Sequence, residues 1–564
     1  METIRKRLIW IKFILVFFFI LAVARTGYIQ VEQGELYARK ALESETMSVP
    51  LEDYNRGRVL DRNLRPLSGT YSSNRLVVFP EMEDNDNPIF QTVYRVTGAD
   101  LPIIRDILSA KRPVVLPYSI NDSQSRLIND GESKGLLVAP YTLRYGPSPL
   151  AVHVVGHMGR IRDLQELEEL SVKNKKSYRL SDWIGRQGLE YFYERELKGR
   201  YPTRFAAVYT DVLGKPLPGL PVTVETEMRD PGRNDVVTTI DSDIQSMVER
   251  VMDRRIKKGA VVVMDRSSGD ILAMASRPAY NPDPALSDRL QTAGDERFVN
   301  QALSLFQPGS LFKVVVAAAA LSEGRVNSET LFNCSGYREK PVRCWNEEGH
   351  GLETFAQAFA RSCNPVFVKL GQDLGPQTII RYARAMGLEN QSILGYPAAS
   401  DRRQNLDLVA GKYNLVNSSI GQGPVLATPL QVTAMINSVA NGGLYLQPRL
   451  VKEIRPTGGG FPGQIRPAET VRVISPEVAH QLGELMTLVT KQGVGQKAWV
   501  PGGGSAGKTG SAQLTEGDGP VNAWFSGYAP IDTPRYTITV LVREGSSGGE
   551  TAAPVFREIV EKLN

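Results

Sequence analysis

The sequence predicts an α+β protein: an antiparallel sheet flanked by helices, with an all-helical subdomain, after a mixed α/β N-terminal segment and one membrane anchor helix. Three observations predict it. Runs of strand character stand at both ends of residues 229–564, with helical patterns between them. One apolar run opens the chain and nothing like it follows, which excludes a multi-span membrane protein. The composition, 42% hydrophobic and 23% charged, is that of a globular chain and excludes wholesale disorder. With 66 basic and 61 acidic residues, the net charge of +5 is nearly balanced over 564 residues, so no nucleic-acid partner is indicated.

In chain order, Arg5, Lys6 and Arg7 precede Leu8–Ala24, a run broken only by Lys12. A span needs about 20 apolar residues, and its basic flank stays cytoplasmic. The run reads as an uncleaved signal-anchor with residues from 28 onward outside the cell membrane. Ala22-Val23-Ala24 leaves a cleaved signal peptide as the alternative. Residues 28–50 are polar and helix-compatible, suggesting a stalk. Residues 51–230 mix short strands (75–79 and 135–138) with charged helical stretches such as 163–173. A turn-rich loop at 229–235 reads as a linker. Beyond it, 244–252 has helical periodicity. Gly259–Asp265 and Asp270–Ser276 read as a hairpin turning through Arg266-Ser267-Ser268-Gly269. Residues 523–528 and 536–542 read as strands, and 555–563 as an amphipathic helix. The expected divisions are a tail and anchor at 1–27, a non-catalytic pedestal at 28–228, and one large domain at 229–564 that carries the chemistry. There is no internal repeat.

Three short patterns carry that chemistry. In Gln307-Pro308-Gly309-Ser310-Leu311-Phe312-Lys313, a turn leads into an apolar helix, so Ser310 sits at a helix start with Lys313 one turn on. A serine hydroxyl needs a base to become a nucleophile. A lysine can be that base once burial lowers its pKa, and the helix start offers free N–H groups to an oxyanion. Ser362-Cys363-Asn364 stands between two helical patterns, where a hydroxyl can relay a proton and an amide can hold a substrate. Gly507-Lys508-Thr509-Gly510-Ser511 has glycines that let a substrate backbone lie against an edge strand, beside a cation and a hydroxyl suited to a carboxylate.

Three decoys are set aside. Gly502 to Thr509 matches the P-loop pattern, yet no helix follows it. His153-x-x-x-His157 lacks the glutamate of a zinc helix, and Gly156 argues against the helix itself. No histidine, His480 included, stands with a nucleophile-elbow serine. Three cysteines cannot build a disulfide scaffold. Cys334 and Cys344 are near enough in sequence to pair, which stays open because pairing needs the right Cα separation. Cys363 reads as a small buried hydrophobe. Cys334, Cys344 and His350 lack metal-site spacing, so no metal and no cofactor are expected.

Each motif is weak alone. In this order, with 52 and 146 residues between their serine and lysine landmarks, they resemble the signature set of penicillin-binding proteins and serine β-lactamases. More of the chain is similar to class B penicillin-binding proteins, the monofunctional peptidoglycan D,D-transpeptidases. Arg56-Gly57-Arg58-Val59-Leu60-Asp61-Arg62 and Gly188-Leu189-Glu190 with Glu194 resemble their non-catalytic segments. Gly421-Gln422-Gly423, Thr428-Pro429 with Gln431, and Ala523-Trp524-Phe525 resemble runs around the second and third motifs. Asn63-Leu64 departs from the family, which usually has a glycine there.

The resemblance implies a serine transpeptidase/β-lactamase-like fold at 229–564 behind a dimerisation-type pedestal. It implies Ser310 as nucleophile on a D-Ala-D-Ala stem peptide, Lys313 as base, Ser362 as proton relay, and Lys508 as a source of positive potential. It also implies Asn364, Thr509, Gly510 and Ser511 as substrate-binding, with the Ser310 and Ser511 N–H groups forming an oxyanion hole. Expected partners are peptidoglycan stem peptides, β-lactams as covalent inhibitors, the cytoplasmic membrane and a separate glycan polymerase; a homodimer stays open. The alternatives are a D,D-carboxypeptidase or β-lactamase on the same site, or a β-lactam-binding sensor.

Overall fold

The computed structural model describes residues 2–32, 46–69, 71–80, 86–98, 100–109, 112–129, 135–211, 213–217, 219–226, 230, 232–283, 294–397, 404–411, 413–513 and 519–563. It divides into two compact units. One comprises Met1–Asn55, Tyr71–Arg144 and Tyr201–Arg229; the other comprises Arg56–Thr70, Tyr145–Arg200 and Asp230–Asn564. Residues 56–70 and 145–200, which chain order alone places with a pedestal, thus cluster with the C-terminal segment.

The first unit begins with a helix over Glu2–Glu32. Its stretch Trp10–Gln30, 21 residues with a mean hydropathy of 1.9, is long and apolar enough to cross a membrane and fits a single-pass anchor. Of the expected stalk, residues 28–32 are helical as part of Glu2–Glu32. Residues 33–45 lie outside the described residues. Thr46–Pro50 is a strand, because it has a ready partner in Arg204–Tyr209, with which it pairs antiparallel. A second sheet places Tyr71–Val78 between Val114–Ser119 and Leu136–Leu143, which accounts for the strand patterns at 75–79 and 135–138. Leu76, Val78, Ile89, Val93 and Ile104 close a small core under it.

The second unit is built on five antiparallel strands: β1 (Gly259–Asp265), β2 (Ile271–Arg277), β3 (Ala506–Gln513), β4 (Val521–Ala529) and β5 (Tyr536–Gly545). Their order is β2-β1-β5-β4-β3, so β3 is an edge. The expected hairpin forms with Gly259 opposite Arg277. β1, β4 and β5 are apolar almost throughout because both faces are covered. One face packs on helices α1 (Ser242–Arg255) and α7 (Ala553–Leu563). The other face belongs to a core shared by α2 (Lys313–Ser322), α3 (Phe355–Ala360), α4 (Asn364–Leu374), α5 (Pro429–Ala440) and α6 (Pro476–Gln492). The Thr428/Gln431 run caps α5: each side chain bonds the other's backbone N–H, with Pro429 in the first turn.

Two of the early sequence runs meet inside this unit. Arg56, 2% exposed, donates to Glu190 Oε2 at 3.0 Å and Glu194 Oε2 at 2.7 Å. Although burial works against its charge, Glu194 and Glu190 hold that guanidinium above its ordinary pKa. Val59–Leu60 pairs parallel with Val236–Val237. Asp61 then caps a turn through Asn63 and Arg65, in which Leu64 takes a left-handed φ of 66°. That conformation is the reason the family's glycine suits this position.

The decoys resolve in the second unit. The residues after Gly502-Gly503-Gly504 enter strand β3, not a helix. His153 and His157 are buried packing residues. His153 Nε2 bonds the Arg297 carbonyl at 2.8 Å, and His157 stacks edge-on against Tyr280.

Candidate active site

Ser310 sits in a 3-10 turn, Gly309–Phe312, that runs into α2. Two glycines explain how other backbones come so close to it. A Cβ on Gly510 of β3 would stand 2.4 Å from Pro308 O, and one on Gly421 would stand 2.0 Å from Gly309 O. The Gly309 N–H donates to Gly421 O at 3.0 Å. From β4, Trp524 Nε1 donates to Gln307 O at 3.1 Å. The nucleophile turn is therefore clamped from three sides by the runs 421–423, 507–511 and 523–525. The Ser310 hydroxyl itself has no hydrogen-bond partner among the described residues.

Ser362 is the least expected residue in conformation. Its φ is 57°, a left-handed geometry that costs a non-glycine residue roughly 1–2 kcal/mol. The cause is a helix C-terminal motif normally closed by glycine. Ser362 N–H donates to Phe359 O (3.1 Å) and Cys363 N–H to Ala358 O (2.9 Å), capping α3. α4 begins immediately at Asn364, with Pro365 in its first turn. The corner puts the Ser362 hydroxyl and the Asn364 amide on one side.

Both lysines meet that corner. Lys313 Nζ donates to Asn364 Oδ1 (2.6 Å), Ser362 O (2.8 Å) and Ser362 Oγ (3.2 Å). Lys508 Nζ donates to Ser362 Oγ at 3.0 Å and Thr509 O at 3.3 Å. Each cation faces an aromatic ring, Phe367 for Lys313 and Phe359 for Lys508. Both side chains are fully buried. Burial pulls Lys313 from its ordinary 10.5 to about 7, against the opposing pull of the Cys363 and Cys344 thiols. Burial, then the charge of Lys313, holds Lys508 well below its ordinary value. Two ammonium groups on one hydroxyl cannot both keep their charge cheaply, so the pair titrates as a unit. The three partners of Lys313 use every hydrogen of an ammonium. A neutral amine keeps two and has a lone pair free to accept from the Ser362 hydroxyl.

Of the sequence-expected set, Lys313, Ser362, Asn364 and Lys508 thus meet at one corner. Thr509 is 6% exposed, Gly510 faces the Ser310 turn, and Ser511 is exposed on β3 with its Oγ accepting from Gly548 N–H at 3.0 Å. Phe359, Phe367 and Gly421 complete the surroundings. The first two carry no sequence signal beyond helical periodicity.

A second cluster adjoins the Ser362 corner. Cys334, Cys344, His350 and Cys363 place one ligand atom each within 4.8 Å of one another. All three cysteines are free thiols, 1%, 3% and 0% exposed. A hydrogen bond from Cys363 holds the Cys344 thiol below its ordinary pKa. The irregular linear spacing hid this set. The paired strands Leu331–Cys334 and Gly351–Thr354 and the α3–α4 corner bring it together. The available signal was compositional: every cysteine of the chain lies within 334–363, with His350 among them. These residues could hold a metal ion.

Comparison with known proteins follows the same outline. Residues 259–561 match the family described as penicillin binding protein transpeptidase domain, and residues 52–227 match that described as penicillin-binding protein dimerisation domain. Stage V sporulation protein D of Bacillus subtilis (strain 168) is 29% identical over 99% of this chain and 85% of its own. Peptidoglycan D,D-transpeptidase MrdA of Acinetobacter baumannii is 26% identical over 94% of this chain and 84% of its own. A solved structure described as "Structural coordination of polymerization and crosslinking by a peptidoglycan synthase complex" covers 98% of this chain and 97% of its own. It has a TM-score of 0.74 at 27% identity.

Proposed function

The chain belongs to the penicillin-binding protein transpeptidase family, in its class B arrangement with a dimerisation-type domain ahead of the transpeptidase domain, and we infer from that membership how its side chains divide the work. It is a serine-type D,D-transpeptidase that cross-links peptidoglycan. Ser310 Oγ attacks the carbonyl carbon of the penultimate D-Ala of a stem peptide while the neutral Lys313 amine takes its proton. The tetrahedral oxyanion is met by the Ser310 and Ser511 N–H groups. Ser362 passes the proton from Lys313 to the departing D-Ala nitrogen, and the C–N bond breaks to leave an ester on Ser310. Asn364 holds the donor amide, and Lys508 with Thr509 binds the terminal carboxylate, whose arrival restores the charge on Lys508. An amine of a second stem peptide then attacks the ester, forming the cross-link and freeing Ser310. A β-lactam opened by Ser310 stays as the acyl-enzyme.

One observation carries these assignments: the Ser362 hydroxyl stands 3.2 Å from Lys313 Nζ and 3.0 Å from Lys508 Nζ, both amines buried. The basic start Arg5-Lys6-Arg7 supports a cytoplasmic N-terminus with the catalytic portion outside the membrane. We assign 1–27 to tail and anchor, 28–228 to the non-catalytic segment, and 229–564 to catalysis. A separate glycan polymerase supplies the strands that are joined. The test is covalent labelling by fluorescent penicillin, which Ser310→Ala abolishes. Labelling that persists in that variant removes the assignment. With a peptidoglycan donor, cross-linked product exceeds shortened free peptide; the reverse ratio makes the enzyme a carboxypeptidase.

A further inference from the structure

The Ser511 N–H is assigned to the oxyanion, yet it belongs to β3, an edge strand. The residue before it is Gly510, whose backbone is the least restrained a strand can carry. A catalytic group misplaced by about 1 Å can cost about 100-fold in rate, so that peptide needs support from outside its own strand. On one face of β3 the nucleophile turn supplies it, where a Cβ on Gly510 would stand 2.4 Å from Pro308 O. Successive side chains of a strand point to opposite faces, so Ser511 points the other way. There it meets Gly548–Ala552, a single π-helical turn that leads into α7; such turns recur at functional sites. The turn is closed from its own start: Ser547 Oγ accepts from Glu550 N–H at 3.1 Å, and Thr551 N–H donates to Ser547 O at 2.9 Å. Gly548 N–H donates to Ser511 Oγ at 3.0 Å. A Cβ on Gly548 would stand 2.3 Å from Trp524 O and 2.5 Å from Gly510 O, and one on Gly549 would stand 2.3 Å from Val494 O. Val494 N–H in turn donates to Ala360 O at 3.1 Å, and Ala360 ends α3 two residues before Ser362. One run of backbone contacts therefore joins Ser511 to the relay corner through Gly548, Gly549 and Val494.

We propose that the Gly548-Gly549 turn positions the oxyanion hole: by accepting the Gly548 N–H, the Ser511 hydroxyl fixes the Gly510–Ser511 peptide so that the Ser511 N–H meets the oxyanion. This rests on the transpeptidase reading above. Gly548 and Gly549 are positioning residues, and glycine is required at both because a side chain would drive the turn off Gly510 and Val494. The contact with Val494 ties the hole to the relay corner, so the donor to the oxyanion and the relay of the proton are held in one frame. The hole acts on charge that develops only in the transition state. Loss of its support therefore slows acylation and leaves the first, non-covalent capture of a penicillin as it was.

The experiment uses the full chain in detergent and stopped-flow acylation by a fluorescent penicillin, which separates the dissociation constant of the first complex from the acylation rate constant. Ser511→Ala removes the hydroxyl and keeps every backbone N–H. Its acylation rate constant falls about 10–100-fold, while the first dissociation constant stays within about threefold of native. Ser511→Thr, which keeps a hydroxyl at the same position, restores the rate. A phenylboronic acid gives a second readout. Its boron takes the Ser310 oxygen as that hydroxyl gives up its proton, and the tetrahedral anion formed places an oxygen in the hole. Its affinity for Ser511→Ala falls by the same factor as the rate constant. Gly548→Ala reproduces the split from the other side of the bond, and the thermal midpoint of each variant shows that the fold is kept. A Ser511→Ala protein with native rate constant and native boronate affinity overturns the proposal. So does a weakened first complex with the rate constant unchanged, which makes the hydroxyl a substrate contact. Failure of the transpeptidase reading shows separately, as labelling that survives Ser310→Ala.

Discussion

Replacing Asn364 by Asp puts a carboxylate where an amide oxygen now stands 2.6 Å from Lys313 Nζ. In the native site, burial brings Lys313 from 10.5 to about 7. A fall of that size is worth roughly 5 kcal/mol at 1.36 kcal/mol per unit. At neutral pH it makes about half the molecules carry a free amine, against about one in 3,000 for an unperturbed lysine. The neutral form is the base and exists above the pKa, so native acylation rises with pH and levels off beyond about 8. Below about 6 it falls tenfold per unit. The midpoint belongs to Lys313 and Lys508 together, with the Cys363 and Cys344 thiols as the facing groups of opposite tendency. A carboxylate in contact favours the ammonium and lifts a pKa by about 1–3 units. Asn364→Asp therefore moves the midpoint upward by that amount, lowers acylation at pH 7 by about 5–500-fold, and recovers as the pH approaches 10. Single-turnover labelling with fluorescent penicillin from pH 5.5 to 10 measures this. Simple damage to the site depresses the plateau and leaves the midpoint in place. A native profile flat between pH 5.5 and 9, or an Asp variant whose midpoint does not rise, refutes the lysine-base account.

Three further outcomes are expected. Ser362→Gly relaxes a left-handed residue and keeps or raises stability by about 1 kcal/mol, while acylation falls at least about 100-fold; chemical denaturation and labelling read the two separately. Arg56→Met leaves Glu190 and Glu194 buried without their cation and lowers unfolding free energy by about 3–5 kcal/mol, whereas restoring neutrality with Glu190→Gln and Glu194→Gln in the same chain recovers part of the loss. Gly510→Val drives a side chain against Pro308 O and pushes β3 from the nucleophile turn. Its labelling rate drops by at least about tenfold while the far-ultraviolet spectrum stays native, because β3 is an edge strand.

The chemistry was legible because each motif binds a residue type to a local geometry. Pro308-Gly309 announces the turn that presents Ser310, and the apolar run after Lys313 announces the burial that lowers its pKa. The sheet was legible too. Alternation fails where both faces are covered, so β1 and β5 read as continuous apolar runs bounded by turn residues. What escaped the sequence depends on distant partners. Thr46–Pro50 is a strand because Arg204–Tyr209 lies beside it, not because of its own propensity. The conformation of Ser362 follows from the capping pattern of α3, which carries no marker when serine takes the glycine's place. The cysteine–histidine cluster is set by a paired hairpin and a helix corner, and ligand spacing along the chain does not encode either.

Val59–Leu60 has a consequence for how the protein is made. Its parallel partner is Val236–Val237, and the neighbouring Arg58–Asp235 bond joins residues 177 positions apart. At about 5–20 residues per second, a ribosome takes roughly ten to thirty-five seconds to deliver that partner. Until then the short strand has only its local turn to pair with, in which the Leu67 and Ser68 N–H groups donate to Val59 O and the Val59 N–H donates to Ser68 Oγ. The sheet that holds Val59–Leu60 closes only after Val236–Val237 has been made, and its next strand, Val451–Pro456, comes later still. A chain begun at residue 229 would save the wait but leave the edge of Val236–Val237 permanently bare, a template for pairing with another molecule.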